Sequence, residues 1–113
     1  MEDCLFCKII SGTIPSDKLY EDEYVIAFRD IYPQAPVHIL VVPKKHIVSV
    51  ADITAENSIF AVKCLEAAAI VAKQENLDNG FRVVSNSGAG GGQTIFHLHF
   101  HILAGKNFLR VGE

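Results

Sequence analysis

Several things are missing from this chain of 113 residues. It has no excess of positive charge: ten Lys and Arg against thirteen Asp and Glu leave a formal net charge of −3, with a pI near 5.9. Non-specific nucleic-acid binding needs a basic surface, so no nucleic-acid partner is predicted. No apolar run approaches the roughly 20 residues of a membrane span, so no membrane association is predicted. The first residues, M-E-D-C-L-F-C, carry acids where a secretory signal needs a basic stretch. Cysteines are few, and their count of three is odd, which argues against a disulfide framework. These absences predict an intracellular, cytoplasmic protein. Repeats and linkers are missing too, and the length suits a single domain over residues 1–113.

What is present reads as a packed α+β domain. Half the residues are hydrophobic and a fifth are charged. Cys4 to Ile10 suits a short helix closed by Gly12. Lys18–Tyr20 and Tyr24–Arg29 read as a hairpin around the polar turn Glu21-Asp22-Glu23. Val37 to Val42 is apolar and mostly β-branched, which suits a buried strand, and Pro43 ends it. A short turn of helix over Ser49–Ile53 is followed by Thr54 as the expected N-cap of one long helix. Its apolar stripe is expected at Ile59, Val62, Leu65, Ala69 and Ala72, and its end near Glu75. Cys64 is expected on an apolar face as a small core residue. Phe81–Ser85 and the stretch after the glycine-rich loop Asn86–Gly92 complete about five strands.

That last stretch carries the chemistry. Phe96–Ile102, F-H-L-H-F-H-I, is expected to be a strand with His97, His99 and His101 on one face and apolar side chains on the other. Three imidazoles buried without partners would be costly. They suit either metal ligation or phosphate chemistry, where one histidine attacks phosphorus and another protonates the leaving group. The preceding S-N-S-G-A-G-G-G-Q-T holds four glycines in five positions. It can be a plain flexible connection or an anion nest with side-chain donors from Asn86, Ser87, Gln93 and Thr94. Cys4 and Cys7 form a C-x-x-C. It suits a redox pair or, with His46 and His97, a Cys2His2 zinc site, although the long gaps weaken the spacing argument.

The motif H-L-H-F-H-I-L resembles the histidine-triad signature, in which histidines alternate with apolar residues. With C-L-F-C-K-I-I-S-G-T-I-P-S and F-R-D-I-Y-P-Q-A-P-V-H-I-L-V-V-P-K-K-H upstream, the chain resembles the HINT-like branch of the HIT family nearly throughout. The resemblance implies a HIT-like fold: a five-stranded antiparallel sheet with one long helix and a short N-terminal one. It also implies a homodimer with a continuous ten-stranded sheet. The activity implied is hydrolysis of the P–N bond of purine nucleoside phosphoramidates, such as adenosine 5′-monophosphoramidate and AMP-lysine, through a histidine–nucleotidyl intermediate.

By position, the resemblance makes His99 the nucleophile, and puts His101 beside the scissile bond. His97 becomes the residue whose carbonyl orients the nucleophile, and His38 a fourth supporting histidine. Asn86, Gly92, Thr94 and Ile95 match phosphate and leaving-group contacts. Asp30 matches the ribose-binding acid, and Phe6, Ile9, Phe28, Ile31 and Leu40 match the purine walls. Structural zinc on Cys4, Cys7, His46 and His97 is implied as well, with no metal needed for catalysis. Thr94 stands where serine is frequent. Two alternatives stay open: a dinucleoside polyphosphate hydrolase of the same family, and a zinc-stabilised nucleotide-binding or scaffold protein.

Overall fold

Strands covered on both faces read as continuous apolar runs, and Val25–Arg29 and Val37–Pro43 are such runs. In the computed structural model, which describes residues 3–111, five strands form one antiparallel sheet. They are β1 (Lys18–Glu21), β2 (Val25–Arg29), β3 (Val37–Pro43), β4 (Arg82–Val84) and β5 (Phe100–Ala104), in the order β1-β2-β3-β5-β4. Two helices accompany them: α1 (Leu5–Ile10) and α2 (Ser58–Gln74). This is the expected α+β fold. Among the described residues, no helix is long and apolar enough to cross a membrane.

Alternate strand residues go to opposite faces, and each face has its own core. Under α2, Val25, Ala27, Ile39, Val41, Phe100 and Ile102 meet Cys64, Ala67, Ala68 and Val71. On the other face, Ile26, Phe28, Leu40 and Val42 meet Phe6 of α1, with Ile9 and Ile95 packed alongside. His38 lies in phase with Leu40 and Val42 along β3, so it joins the α1 face. In the β3–β5 register His101 pairs with Leu40, which puts both histidines on that face. After β5 the chain turns at Gly105, where a Cβ would come 2.7 Å from that of Pro36 and φ is +94°. No other residue fits that turn without strain.

Three expectations need correction. Thr54 starts a tight turn and not α2: Asn57 holds the N-cap position, and its Oδ1 accepts from the Thr54 N–H at 2.7 Å. The buried stripe of α2 is Cys64, Ala67, Ala68, Val71 and Ala72, while Ile59, Val62, Leu65 and Ala69 face outward. Small side chains let the helix sit close on the sheet, so the larger ones are left on the far side. Finally, β5 begins at Phe100, not Phe96. Pro43 ends β3, and the backbone N–H of Leu98 bonds instead to Ile47 O at 2.6 Å. Leu98 and Phe100 still reach the α2 core, but Phe96 is half exposed.

Candidate active site and metal centre

The backbone holds each imidazole by one nitrogen and so decides what the other can do. Nδ1 of His99 donates to His97 O at 2.8 Å, which leaves Nε2 of His99 with a free lone pair. Nδ1 of His38 accepts the Gln34 N–H at 3.0 Å. Nε2 of His38 therefore carries the proton and donates to Nδ1 of His101 at 2.8 Å. His101 must then carry its own proton on Nε2. The His99 and His101 rings lie 4.9 Å apart, edge to face. A ring with a free lone pair thus packs against a ring that carries an N–H donor.

The same burial keeps these rings neutral. Desolvation lowers the pKa of His99 and of His38, with Asp30 opposing it in both. Burial, followed by the neighbouring His99 and His38, takes His101 down to about 4. Neutral imidazoles are what a nitrogen nucleophile needs near pH 7.

A cavity of about 280 Å³ opens on this face. Its walls include Phe6, Ile9, Phe28, Ile31, Leu40, Ile95 and Asp30. Phe6 ties the cavity to the histidines, its ring 5.0 Å from that of His99. At the rim, Asp30 Oδ1 accepts the Tyr32 N–H at 2.8 Å, and Oδ2 lies 3.5 Å from Nε2 of His38. The result is an apolar slot with one oriented carboxylate, and with His99 packed behind its Phe6 wall, a shape that suits a flat ring system joined to hydroxyls.

The glycine-rich loop is braced rather than loose. Ala89–Gly91 forms a single 3-10 turn, and the N–H groups of Gly91, Gly92 and Gln93 bond to Gly88 and Ala89 carbonyls. Gln93, expected as an anion donor, is buried and turns inward: its amide donates to Val48 O and Ile95 O and accepts from Gly88 N–H. Asn86 Nδ2 donates to Gly91 O at 2.9 Å and packs against Gly92, whose φ is +89°. Among the described residues, no carbonyl takes the N–H of Thr94 or Ile95. Those two amides lead straight into the histidine segment.

On the other side of α1 lies a second cluster. Nδ1 of His97 is 3.3 Å from Cys4 Sγ and 3.6 Å from Cys7 Sγ, and Nδ1 of His46 is 3.4 Å from Cys7 Sγ. All four ligand atoms lie within 4.8 Å of one another. A tetrahedral site with ordinary Zn–S and Zn–N bonds has S···N edges of about 3.5 Å, so the donor set fits. Nε2 of His97 donates to Pro43 O at 2.9 Å, the outer contact that aims a ligating histidine. Burial and the adjoining Cys4 push the Cys7 thiol up to about 11, so forming a thiolate there calls for a cation. Burial also takes His97 down to about 4, leaving Nδ1 unprotonated and able to ligate. Cys64, by contrast, is buried among α2 side chains, and its thiol is pushed up to about 12.

The HIT domain sequence profile matches residues 11–108. This chain belongs to the HIT family. It is 43% identical over 106 residues to the purine nucleoside phosphoramidase of Escherichia coli, covering 93% of this chain and 89% of that one. It is 47% identical to the 14 kDa zinc-binding protein of Brassica juncea, over 92% and 94% of the two chains. A HIT family hydrolase from Clostridium thermocellum superposes with a TM-score of 0.96 at 43% identity, covering 100% of this chain and 99% of its own. The protein is a HIT-family hydrolase.

Set on the HIT fold, the residues expected from sequence divide clearly. His38, His99, His101 and Asp30 come together, as do Cys4, Cys7, His46 and His97. The five apolar wall residues all line one cavity, although Ile31 is mostly exposed at its edge. Thr94 lies exposed beside Ile95, toward Cys4 and His46. Leu5, Ile14, Pro15 and Tyr32 also line the cavity and were missed. So was Ser85, whose hydroxyl donates to His99 O at 2.8 Å. All five stand inside the quoted motifs, which were the only signal for them.

Proposed function

We propose that this protein hydrolyses purine nucleoside phosphoramidates through a covalent intermediate on His99. One observation carries the reading: His99, whose Nε2 lone pair is free, packs against the His101 ring, whose Nε2 bears a proton, and Phe6 joins His99 to the wall of an apolar slot. The purine lies between Phe6, Phe28 and Leu40, and Asp30 accepts the ribose hydroxyls. His99 Nε2 attacks phosphorus, and the P–N bond breaks. With an anionic phosphate beside it, His101 takes up a second proton from solvent as its affinity for protons rises, and the departing nitrogen takes a proton from this imidazolium, leaving His101 neutral. Water then attacks phosphorus and gives its proton to His101. The His99–phosphorus bond breaks, and nucleoside monophosphate and free amine are the products. The amides of Thr94 and Ile95, the Thr94 hydroxyl and Asn86 offset the developing charge.

His99→Ala should remove turnover of AMP-lysine by on the order of 10⁴-fold while AMP still binds. Turnover retained in that variant would sink the mechanism. A much higher rate on diadenosine polyphosphates than on AMP-lysine would move the protein to the neighbouring branch of the family.

We further propose zinc on Cys4, Cys7, His46 and His97. When bound, it contributes folding energy, and no catalytic step passes through it. The donor distances and the similarity to the Brassica zinc-binding protein support this. Metal analysis of unchelated protein should find about one zinc per chain.

The outward stripe Ile59, Val62 and Leu65 on α2 and the open edge of β4 support a homodimer. Its proposed interface pairs β4 with β4 and covers that stripe.

A further inference from the structure

Helix α1 serves two sites at once. Cys7 and the preceding Cys4 face the histidines His46 and His97. Leu5, Phe6 and Ile9 line the cavity. Between them stands Phe6, 1% exposed, its ring edge-on to His99 at 5.0 Å, His97 at 5.9 Å and Phe28 at 5.8 Å. His97 belongs to both sites as well. Its Nδ1 meets the cysteines, while its own carbonyl accepts Nδ1–H of His99 at 2.8 Å. Two physical routes therefore run from the cysteines to His99, one through the Phe6 ring and one through the His97 backbone.

A helix of six residues has little stability of its own. Its position must come from what holds it. We infer that the Cys4–Cys7–His46–His97 centre is the clamp that positions the nucleophile and one wall of the cavity. With the four donors tied together, α1 is fixed against the chain after β3. Phe6 is then pressed on His99, and the His97 carbonyl holds the His99 ring in its productive tautomer. Phe6 is thus a positioning residue in addition to an apolar wall. This rests on reading His99 as the nucleophile and the cavity as the nucleotide slot.

The test compares full-length zinc-loaded protein with protein stripped by a chelator. Three readouts are taken: circular dichroism, the imidazole ¹H–¹⁵N signals of His99, and AMP binding by calorimetry. In stripped protein that keeps its circular dichroism, the His99 Nδ1–H signal should broaden or shift. AMP should bind about tenfold more weakly, and one equivalent of Zn²⁺ should restore both. An unmoved His99 signal overturns the inference. AMP binding to neither form would defeat the nucleotide reading, and the His99 signal would still decide the clamp.

If stripping unfolds the chain, zinc-loaded Phe6→Leu decides. It should keep its zinc and its fold, lose about tenfold in kcat and shift the His99 signal. Unchanged kcat with an unmoved signal in that variant refutes the role of Phe6.

Discussion

On the face of the sheet under α2, β2, β3 and β5 direct Val25, Ala27, Ile39, Val41, Phe100 and Ile102 into a closed apolar layer capped by a helix of 17 residues. On the opposite face the same strands present Phe28, Leu40, His38 and His101, and the helix there has only six residues. The alternation is identical, but the cover differs. Full cover leaves no room for a ligand and concentrates stability. Partial cover leaves a slot whose polar groups are held by backbone partners. The chemistry has been placed where the fold spends least on packing.

The comparison can be broken from either side. His99→Ala removes chemistry from the α1 face, and its melting temperature should stay within a few degrees of wild type despite the loss of turnover. Ile102→Ala does the reverse. Ile102 is 0% exposed under α2, so its truncation should cost about 3 kcal/mol by denaturant titration. AMP affinity of the folded fraction should be unchanged. A large affinity loss would show that the two faces are coupled through β5.

A pH titration separates the faces more gently. His101 titrates in the folded chain near 4, below its ordinary value of 6.5. Between those values the unfolded chain binds more protons, so stability should fall as pH drops from about 6.5 toward 4. Above 6.5 this contribution is constant. His101→Gln should lessen that slope by His101's share, as seen in urea midpoints, with the buried His97, His99 and His38 supplying the rest, whereas Ile102→Val should leave it unaltered. The smallest effect is expected outside both faces. Leu65 is half exposed on α2, so Leu65→Lys should change monomer stability by about 0.5 kcal/mol or less. Sedimentation should show it shifting the protein toward monomer. An unchanged dimer would place the interface elsewhere.

Much of this was legible in the chain. Strand runs, the hairpin turn and Cys64 in the core follow from period and motif, and the grouping of His38 with His99 and His101 from the family resemblance. Two misreadings share one cause. Periodicity reports which residues are apolar, and α2 is apolar on two sides, so period alone cannot choose between Val62 and Val71. Likewise F-H-L-H-F-H-I alternates perfectly, but β3 runs out at Pro43 and cannot extend the ladder to His97. The bracing of the glycine loop by Gln93 was illegible because a glutamine side chain serves equally as surface donor or internal strut. Only the carbonyls of Val48 and Ile95, brought close by the fold, decide it.

The strand order carries a consequence for synthesis. β5 is the last of the five described strands to leave the ribosome, yet it lies between β3 and β4. Until Phe100–Ala104 emerges, β3 shows an open edge and β4 has no neighbour in the sheet. Cys4 must also wait for His97, 93 residues later. The nascent chain therefore passes through a stage with an apolar edge exposed and neither site assembled. The segment from Ile95 to Ala104 supplies, within ten residues, the last wall of the slot, the last ligand of the cysteine–histidine cluster and the strand that closes the sheet.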